Sequence, residues 1–402
     1  MKLISVTLLM FFSCLILTAQ EKELFYGKVI DADTKRPIET VAIYGPSSNT
    51  ISNRGGEFEI KSKYGEDLTI SHLSYHIQII NTAGLPATIE LKSKIFELPE
   101  VVIVPQETII RELKKVWDKY DKLLKGKKDK EFPELAHYYR QLTFNNDTCV
   151  EYIESFLSAP TSIRLHSLSL QEGRYAKIKK DSVVVGFINY FMYSLVTPFS
   201  PGKAKSKSII APLCADFEKY YKVSINRVIS PNQADEVTVY DFELIDILKF
   251  ADPIFLTGLL YVRTNDRSIM RAELKSDKFG LNFTLGSSTK EAHSIIISYQ
   301  EKDNYFPIVE SIQANSIIDV EIQGIIYNMN IQSTLLATEY AFKKRGNRLK
   351  QKDFLFNQVM KSKHNQEFWD SNPVVKRTEI EQQILDDFNR EGYFGTVNFE
   401  GK

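Results

Sequence analysis

Apolar and polar positions fall into distinct regimes along the chain. Residues 3–17 are an almost unbroken apolar run behind Lys2, closed by Thr18-Ala19-Gln20-Glu21. Over 25–92 the pattern turns to short alternating or apolar segments, at 25–30, 40–44, 50–53, 57–60, 68–73, 76–80 and 87–91. Turn formers divide them: the stretch from Asp31 to Pro37, then Gly45-Pro46-Ser47-Ser48-Asn49, then Arg54-Gly55-Gly56. So many short strands in so short a span predict a seven-stranded β-sandwich. At 107–125 the period changes. Ile109, Ile110, Leu113, Val116, Trp117, Tyr120, Leu123 and Leu124 recur three and four apart, which predicts an amphipathic helix stopped by Gly126.

Alternation returns from 134 to 343. Strands are expected at 136–144, 150–157, 175–185, 236–245, 258–263, 268–275, 281–285, 293–300, 307–318 and 324–340, with a hairpin turn at Thr264-Asn265-Asp266-Arg267. No helices intervene as a parallel sheet would need, so a large curved antiparallel sheet, like a half-barrel, is expected. A helix at 381–390 and a loose tail from Gly392 end the chain. The fold is therefore read as mainly β. It divides into a leader (1–20), a sandwich (22–105), an amphipathic linker helix (106–130), a sheet domain (131–345) and a C-terminal helical segment and tail (346–402).

Several residues carry a resemblance. Gly27-Lys28-Val29-Ile30-Asp31, Pro37-Ile38, Val41, Asn53-Arg54-Gly55-Gly56-Glu57-Phe58 and Ile70-Ser71-His72-Leu73-Ser74-Tyr75 together resemble the carboxypeptidase regulatory-like domain, a transthyretin-like β-sandwich. Ser74 stands where that family has Gly, and the hairpin carries one extra residue between Gly55 and Phe58. These residues read as fold determinants: Gly55 and Gly56 supply positive φ, Pro37 fixes a strand edge, and Phe58 and Tyr75 pack the core. Leu98-Pro99-Glu100-Val101-Val102-Ile103-Val104 resembles the exit strand that follows this module in envelope proteins of Gram-negative bacteria. More weakly, Tyr138-Tyr139-Arg140, residues 149–158, Gly258-Leu259-Leu260-Tyr261-Val262-Arg263, Ile269-Met270-Arg271-Ala272, Tyr305-Phe306-Pro307 and Phe368-Trp369-Asp370 are similar to a family of uncharacterised envelope proteins. There the module precedes a region like the lipoprotein-carrier half-barrel, and longer members continue into an outer-membrane barrel.

The positive start, apolar core and small residue at Ala19 read as a secretory signal peptide, with cleavage expected after Ala19 or Gln20. A retained anchor and lipidation at Cys14 are the weaker alternatives. The 402 residues carry 51 Lys+Arg against 51 Asp+Glu. That balance excludes the global basic field that nucleic acid requires. The cluster from Lys122 to Lys130 reads as a solvated helix end. Two cysteines follow the leader, Cys149 and Cys214. An oxidising compartment permits a disulfide between them, two buried free thiols are the alternative, and sequence leaves both open.

Catalytic chemistry finds no support. His364 and Glu367 form an H-x-x-E pair, but no histidine follows to complete a zinc site. There is no G-x-S-x-G, H-E-x-x-H or phosphate loop. No catalytic residue, metal ligand or cofactor is therefore assigned. Asp181-Ser182-Val183 resembles a short O-glycosylation sequon. The expected role is a non-enzymatic protein of the periplasm or outer-membrane periphery that docks with an envelope protein partner. An alternative is a carrier of a lipid-like ligand, lined by Phe187, Phe191, Tyr193 and Phe255. A second is a small outer-membrane β-barrel.

Overall fold

The computed structural model describes residues 22–46, 48–94, 96–97, 104–177, 190–204, 209–245, 254–278, 287–301, 307–338, 347–349, 355–361, 365–372 and 374–395. The leader, the sequon-like triplet, His364, the expected strand at 281–285 and most of the exit strand lie outside them. The chain forms two compact units. One comprises residues up to Ser93 together with Val374–Thr378, and the other comprises Lys94–Pro373 with Glu379–Lys402.

The first unit is a sandwich of seven strands: β1 (Glu23–Asp31), β2 (Ala42–Tyr44), β3 (Asn49–Ile51), β4 (Glu57–Ser62), β5 (Asp67–Ser71), β6 (Gln78–Asn81) and β7 (Thr88–Leu91). They form a three-stranded sheet, β4-β1-β7, and a four-stranded sheet, β3-β2-β5-β6. β1 runs antiparallel to β4 and parallel to β7. Strict alternation sorts the side chains: Phe58 and Ile60 face inward from β4, while Glu57 and Glu59 face outward. Val29, Val41, Ile43, Phe58, Leu68, Ile70 and Leu91 fill the space between the sheets. The motif glycines act differently from the expectation. Gly56 alone of the pair has positive φ, at 75°, and a Cβ there would meet the Val29 carbonyl oxygen at 2.3 Å. Gly55 needs no such freedom; its N–H donates to Asn53 Oδ1 at 2.9 Å. Gly27 sits opposite Phe58 in the β1–β4 register. A Cβ at Gly27 would lie 2.6 Å from the Phe58 ring, so the missing side chain makes room for the largest core residue.

The second unit is built on one antiparallel sheet. Its long strands are β9 (Glu134–Asn145), β10 (Thr148–Pro160), β11 (Ser169–Lys177), β12 (Tyr221–Ile229), β13 (Val237–Leu244), β14 (Thr257–Arg263), β15 (Ile269–Ser276), β16 (Ser287–Gln300), β17 (Ile308–Ile322) and β18 (Ile325–Thr338). The two-residue strands β8 (Phe96–Glu97) and β19 (Asn347–Arg348) border it, giving the order β19-β11-β10-β9-β18-β17-β16-β15-β14-β13-β12-β8. The sheet is open among the described residues. Helix α1 (Gln106–Leu124) buries Ile109, Leu113, Val116, Tyr120 and Leu123 in the main core of this unit. It is thus a core element of the sheet unit as well as a connection. Tyr120 accepts the Ile269 N–H at 2.8 Å, and Gly126, at φ 77°, ends the helical run. The core draws side chains from β10 (Leu157), β18 (Leu335), β16 (Ile297) and β12 (Tyr221) around that one helix, as a sheet curved about it requires.

C-terminal elements cover both faces of β9, β10 and β11: α2 (Leu355–Val359) adds Leu355 and Val359 to the main core, and α3 (Gln366–Ser371) and α4 (Glu379–Arg390) lie on the other face. Leu142, Cys149, Tyr152 and Ala176 pack there with Leu385 and Phe388. The tail expected to be loose is anchored at its start. Phe394 pairs with Ala176, and its ring packs against Tyr152 and Phe388, because two consecutive aromatics find an apolar surface to cover.

Candidate functional site

The residues proposed as ligand lining are dispersed. Phe191 is 5% exposed and meets Tyr139 of β9 edge-on at 4.9 Å. Phe255 is 8% exposed and lies 6.3 Å from Tyr221 of β12 and 5.6 Å from Tyr220. Six strands separate β9 from β12 in the sheet. Both rings belong to the main core. Phe187 and the Tyr193 side chain lie outside the described residues. Cys149 and Cys214 are free and buried in separate apolar clusters. Burial pushes their thiols up, to about 12 and about 11.

What register does assemble on the inner face is a row of side chains that is polar but for one isoleucine. Ser276, His293, Ser316, Ile331, Thr143, Glu151 and Lys177 are successive cross-strand partners from β15 to β11. His293 Nδ1 lies 2.6 Å from Ser316 Oγ, and its Nε2 lies 3.2 Å from Glu291 Oε2. Serine, imidazole and carboxylate thus stand in the order of a nucleophile, base and orienting group. Ser316 is fully buried, however, and its hydroxyl also meets Tyr190 Oη at 2.5 Å, so the arrangement is a closed polar network. Glu291 and His293 are brought onto one face by strand alternation, a signal that was present in the sequence and not used.

Farther along the row, Tyr139 donates to Gln141 Oε1 at 2.8 Å, and Gln141 Nε2 donates to Thr143 Oγ1 at 3.3 Å. Glu151 follows. It is 5% exposed and its Oε1 has no hydrogen-bond partner. Burial pushes its carboxyl up to about 7, with the Lys177 charge across the strand pair and a hydrogen bond from Thr143 pulling back. The same burial pushes the Lys177 ammonium down. Among the described residues no group of His, Cys, Asp and Glu is placed to hold a metal. On the outer face, Glu154 accepts from Arg174 Nε at 2.6 Å and from the Tyr138 hydroxyl, with the guanidinium 4.7 Å from the Trp369 ring centroid. This pair is sealed under aromatics and holds the covering segment in place.

The sandwich carries a site of a different kind. Residues 374–378 belong to this unit. Thr50 Oγ1 donates to the Val374 carbonyl at 2.7 Å, and Asn53 Nδ2 donates to the Lys376 carbonyl at 3.4 Å. Alternate carbonyls of the segment are therefore held by side chains in the middle of β3 and in the β3–β4 corner. Val375 is 5% exposed. Lys376 Nζ lies 3.8 Å from Glu57 Oε2 and 5.7 Å from the Tyr26 ring centroid. Burial pushes the Glu59 carboxyl up, and the charges of Arg377 and Lys376 pull it back. Tyr26 and Glu59 are register partners on the outward side of β1 and β4. The four-stranded sheet ends at β6, where Ile77 and Ile79 are 60% and 68% exposed. No protein-family model, curated protein or solved structure matches the chain.

Proposed function

We propose that this is an exported, non-enzymatic protein of the bacterial envelope whose sandwich docks a protein partner along β6. The observation that carries the reading is the pair of isoleucines, Ile77 and Ile79, left in solvent at the outermost strand of a sheet. Apolar side chains beside a strand edge favour pairing with another chain, and proteins without such a partner usually blunt the edge with charge. The leader-like N-terminus and the resemblance of 27–75 to an envelope module support the compartment. The carrier alternative has less behind it, since Phe191 and Phe255 are already packed against the protein's own aromatics.

A photo-crosslinking residue replacing Ile79 in the full-length protein tests the reading in intact cells. A discrete protein adduct is expected, lost when Ile77→Asp is added and absent with the crosslinker at exposed Lys61. No adduct, together with a stoichiometric lipid mass on detergent-free residues 22–402, would instead establish the carrier.

A further inference from the structure

A second surface lies where β3 meets β4 and stands independently of β6. We infer that the outward face of β4 and β1, with the corner at Asn53, is a docking site for a basic peptide of another protein, and that residues 374–378 occupy it in cis.

Three features of the occupied face carry this. The hydrogen bonds go to main-chain carbonyls, at Val374 and Lys376, so the holding groups Thr50 and Asn53 read the backbone and no particular sequence. Selection is left to side chains. Val375 is the buried anchor, and the two cations behind it meet Glu57, Glu59 and the Tyr26 ring. The complementarity is charge against charge: two carboxylates from one strand face two consecutive cations. A partner peptide of the same chemistry is a stretch with one apolar residue followed by two basic ones.

The grip is also suited to exchange. The Asn53 contact is long, at 3.4 Å, and the Lys376–Glu57 pair is separated by 3.8 Å with both side chains about a third exposed. Pairs of that kind contribute little each. What keeps the segment in place is tethering, which presents it at an effective concentration on the order of millimolar. A free peptide binds only in the fraction of molecules whose own segment has left, so its apparent affinity is reduced by that fraction. Weakening the segment should therefore expose the site.

The probe is a fluorescein-labelled synthetic peptide of residues 372–378, titrated into residues 22–402 and followed by anisotropy. The variant Val375→Asp/Lys376→Glu/Arg377→Glu is expected to bind it at least about tenfold more tightly than the wild type. Adding Glu57→Lys/Glu59→Lys should abolish that binding. The milder Lys376→Gln/Arg377→Gln gives a second reading should the triple variant fail to fold, as judged by circular dichroism. A folded variant that binds no better than wild type overturns the proposal, as does binding indifferent to Glu57 and Glu59. A wild-type dimer in sedimentation that dissolves on Glu57→Lys/Glu59→Lys would assign the face to a second copy and overturn the heterologous partner. Failure here with a surviving β6 adduct leaves the proposed function standing and removes only this site.

Discussion

The Tyr75 hydroxyl donates to Asp31 Oδ2 at 2.8 Å, joining the last residue of β1 to the loop between β5 and β6. The other carboxylate oxygen of Asp31 accepts from the N–H groups of Asp33 and Thr34, at 3.0 and 2.6 Å, and closes the turn after β1. Two residues of the motif run, far apart in sequence, thus pin a turn and a loop with one carboxylate. The Thr34 N–H and then the Tyr75 hydroxyl hold that carboxyl down, at about 2, and burial and the Asp31 charge push the phenol up to about 12.

A carboxyl depressed in the folded state stabilises above its unfolded value and loses that contribution as pH falls through its folded value. The sandwich should therefore lose stability between about pH 4 and pH 2. In Asp31→Asn this part of the pH dependence should vanish in thermal melts, and Tyr75→Phe should lower the Tm by a few degrees at pH 7. An unchanged acid limb in Asp31→Asn would assign the loss to other carboxylates.

Gly56→Ala should destabilise the sandwich by about 1–3 kcal/mol or more, since φ is positive and the new methyl would press on the Val29 carbonyl. Gly55→Ala, with φ outside that region, should cost under about 1 kcal/mol. Urea unfolding of the two variants separates them, and equal losses would contradict the assignment of the left-handed position to Gly56.

Glu151 makes the opposite pH prediction to Asp31. Its carboxyl is raised in the folded state to about 7, so the folded protein binds the extra proton and stability falls as pH rises from about 4 to about 7. Glu151→Gln should remove that slope and raise the stability at pH 8 by on the order of 3 kcal/mol. Thermal melts at pH 5 and 8 measure it, and a variant that melts lower at both would show the carboxylate to be needed charged.

Phe191→Ala and Phe255→Ala should each cost about 3–5 kcal/mol, as removal of buried aromatic rings does. Their place in the main core makes this a stability effect, read in urea midpoints. Near-wild-type stability in either would return that ring to the list of ligand-lining groups.

The sandwich was legible in the sequence because turn residues punctuate every strand and alternation is strict, as at Glu57-Phe58-Glu59-Ile60. The sheet was legible as a class, with losses where local pattern fails. β12 was missed although Tyr221, Val223 and Ile225 alternate with Lys222, Ser224 and Asn226; a bulge between Ile225 and Arg227 breaks that alternation and shifts its phase. β11 begins at Ser169, ahead of the expected start at 175, and residues 178–185 of that expectation lie outside the described residues. The polar row from Ser276 to Lys177 exists only through register between strands, which no single segment encodes. Residues 374–378 fell within the expected C-terminal helical segment and tail, and nothing local tells that Val375 is buried. The aromatics between 187 and 199 were read as ligand lining and core alike; Phe191 packs as core because Tyr139 meets its ring.

The pairing of β9 with β18, in which Leu142 lies opposite Gln332, sets a timetable for assembly. A chain emerging from its N-terminus makes β9, β10 and β11 long before the strand that flanks β9 exists. Until then the β9 edge offers unpaired backbone groups to any neighbour, and closing so distant a contact is slow. The same delay reaches the sandwich, whose outward face waits for residues 374–378. Newborn molecules therefore pass through a period in which both surfaces are open, and a chaperone that shields extended chain would be most needed then.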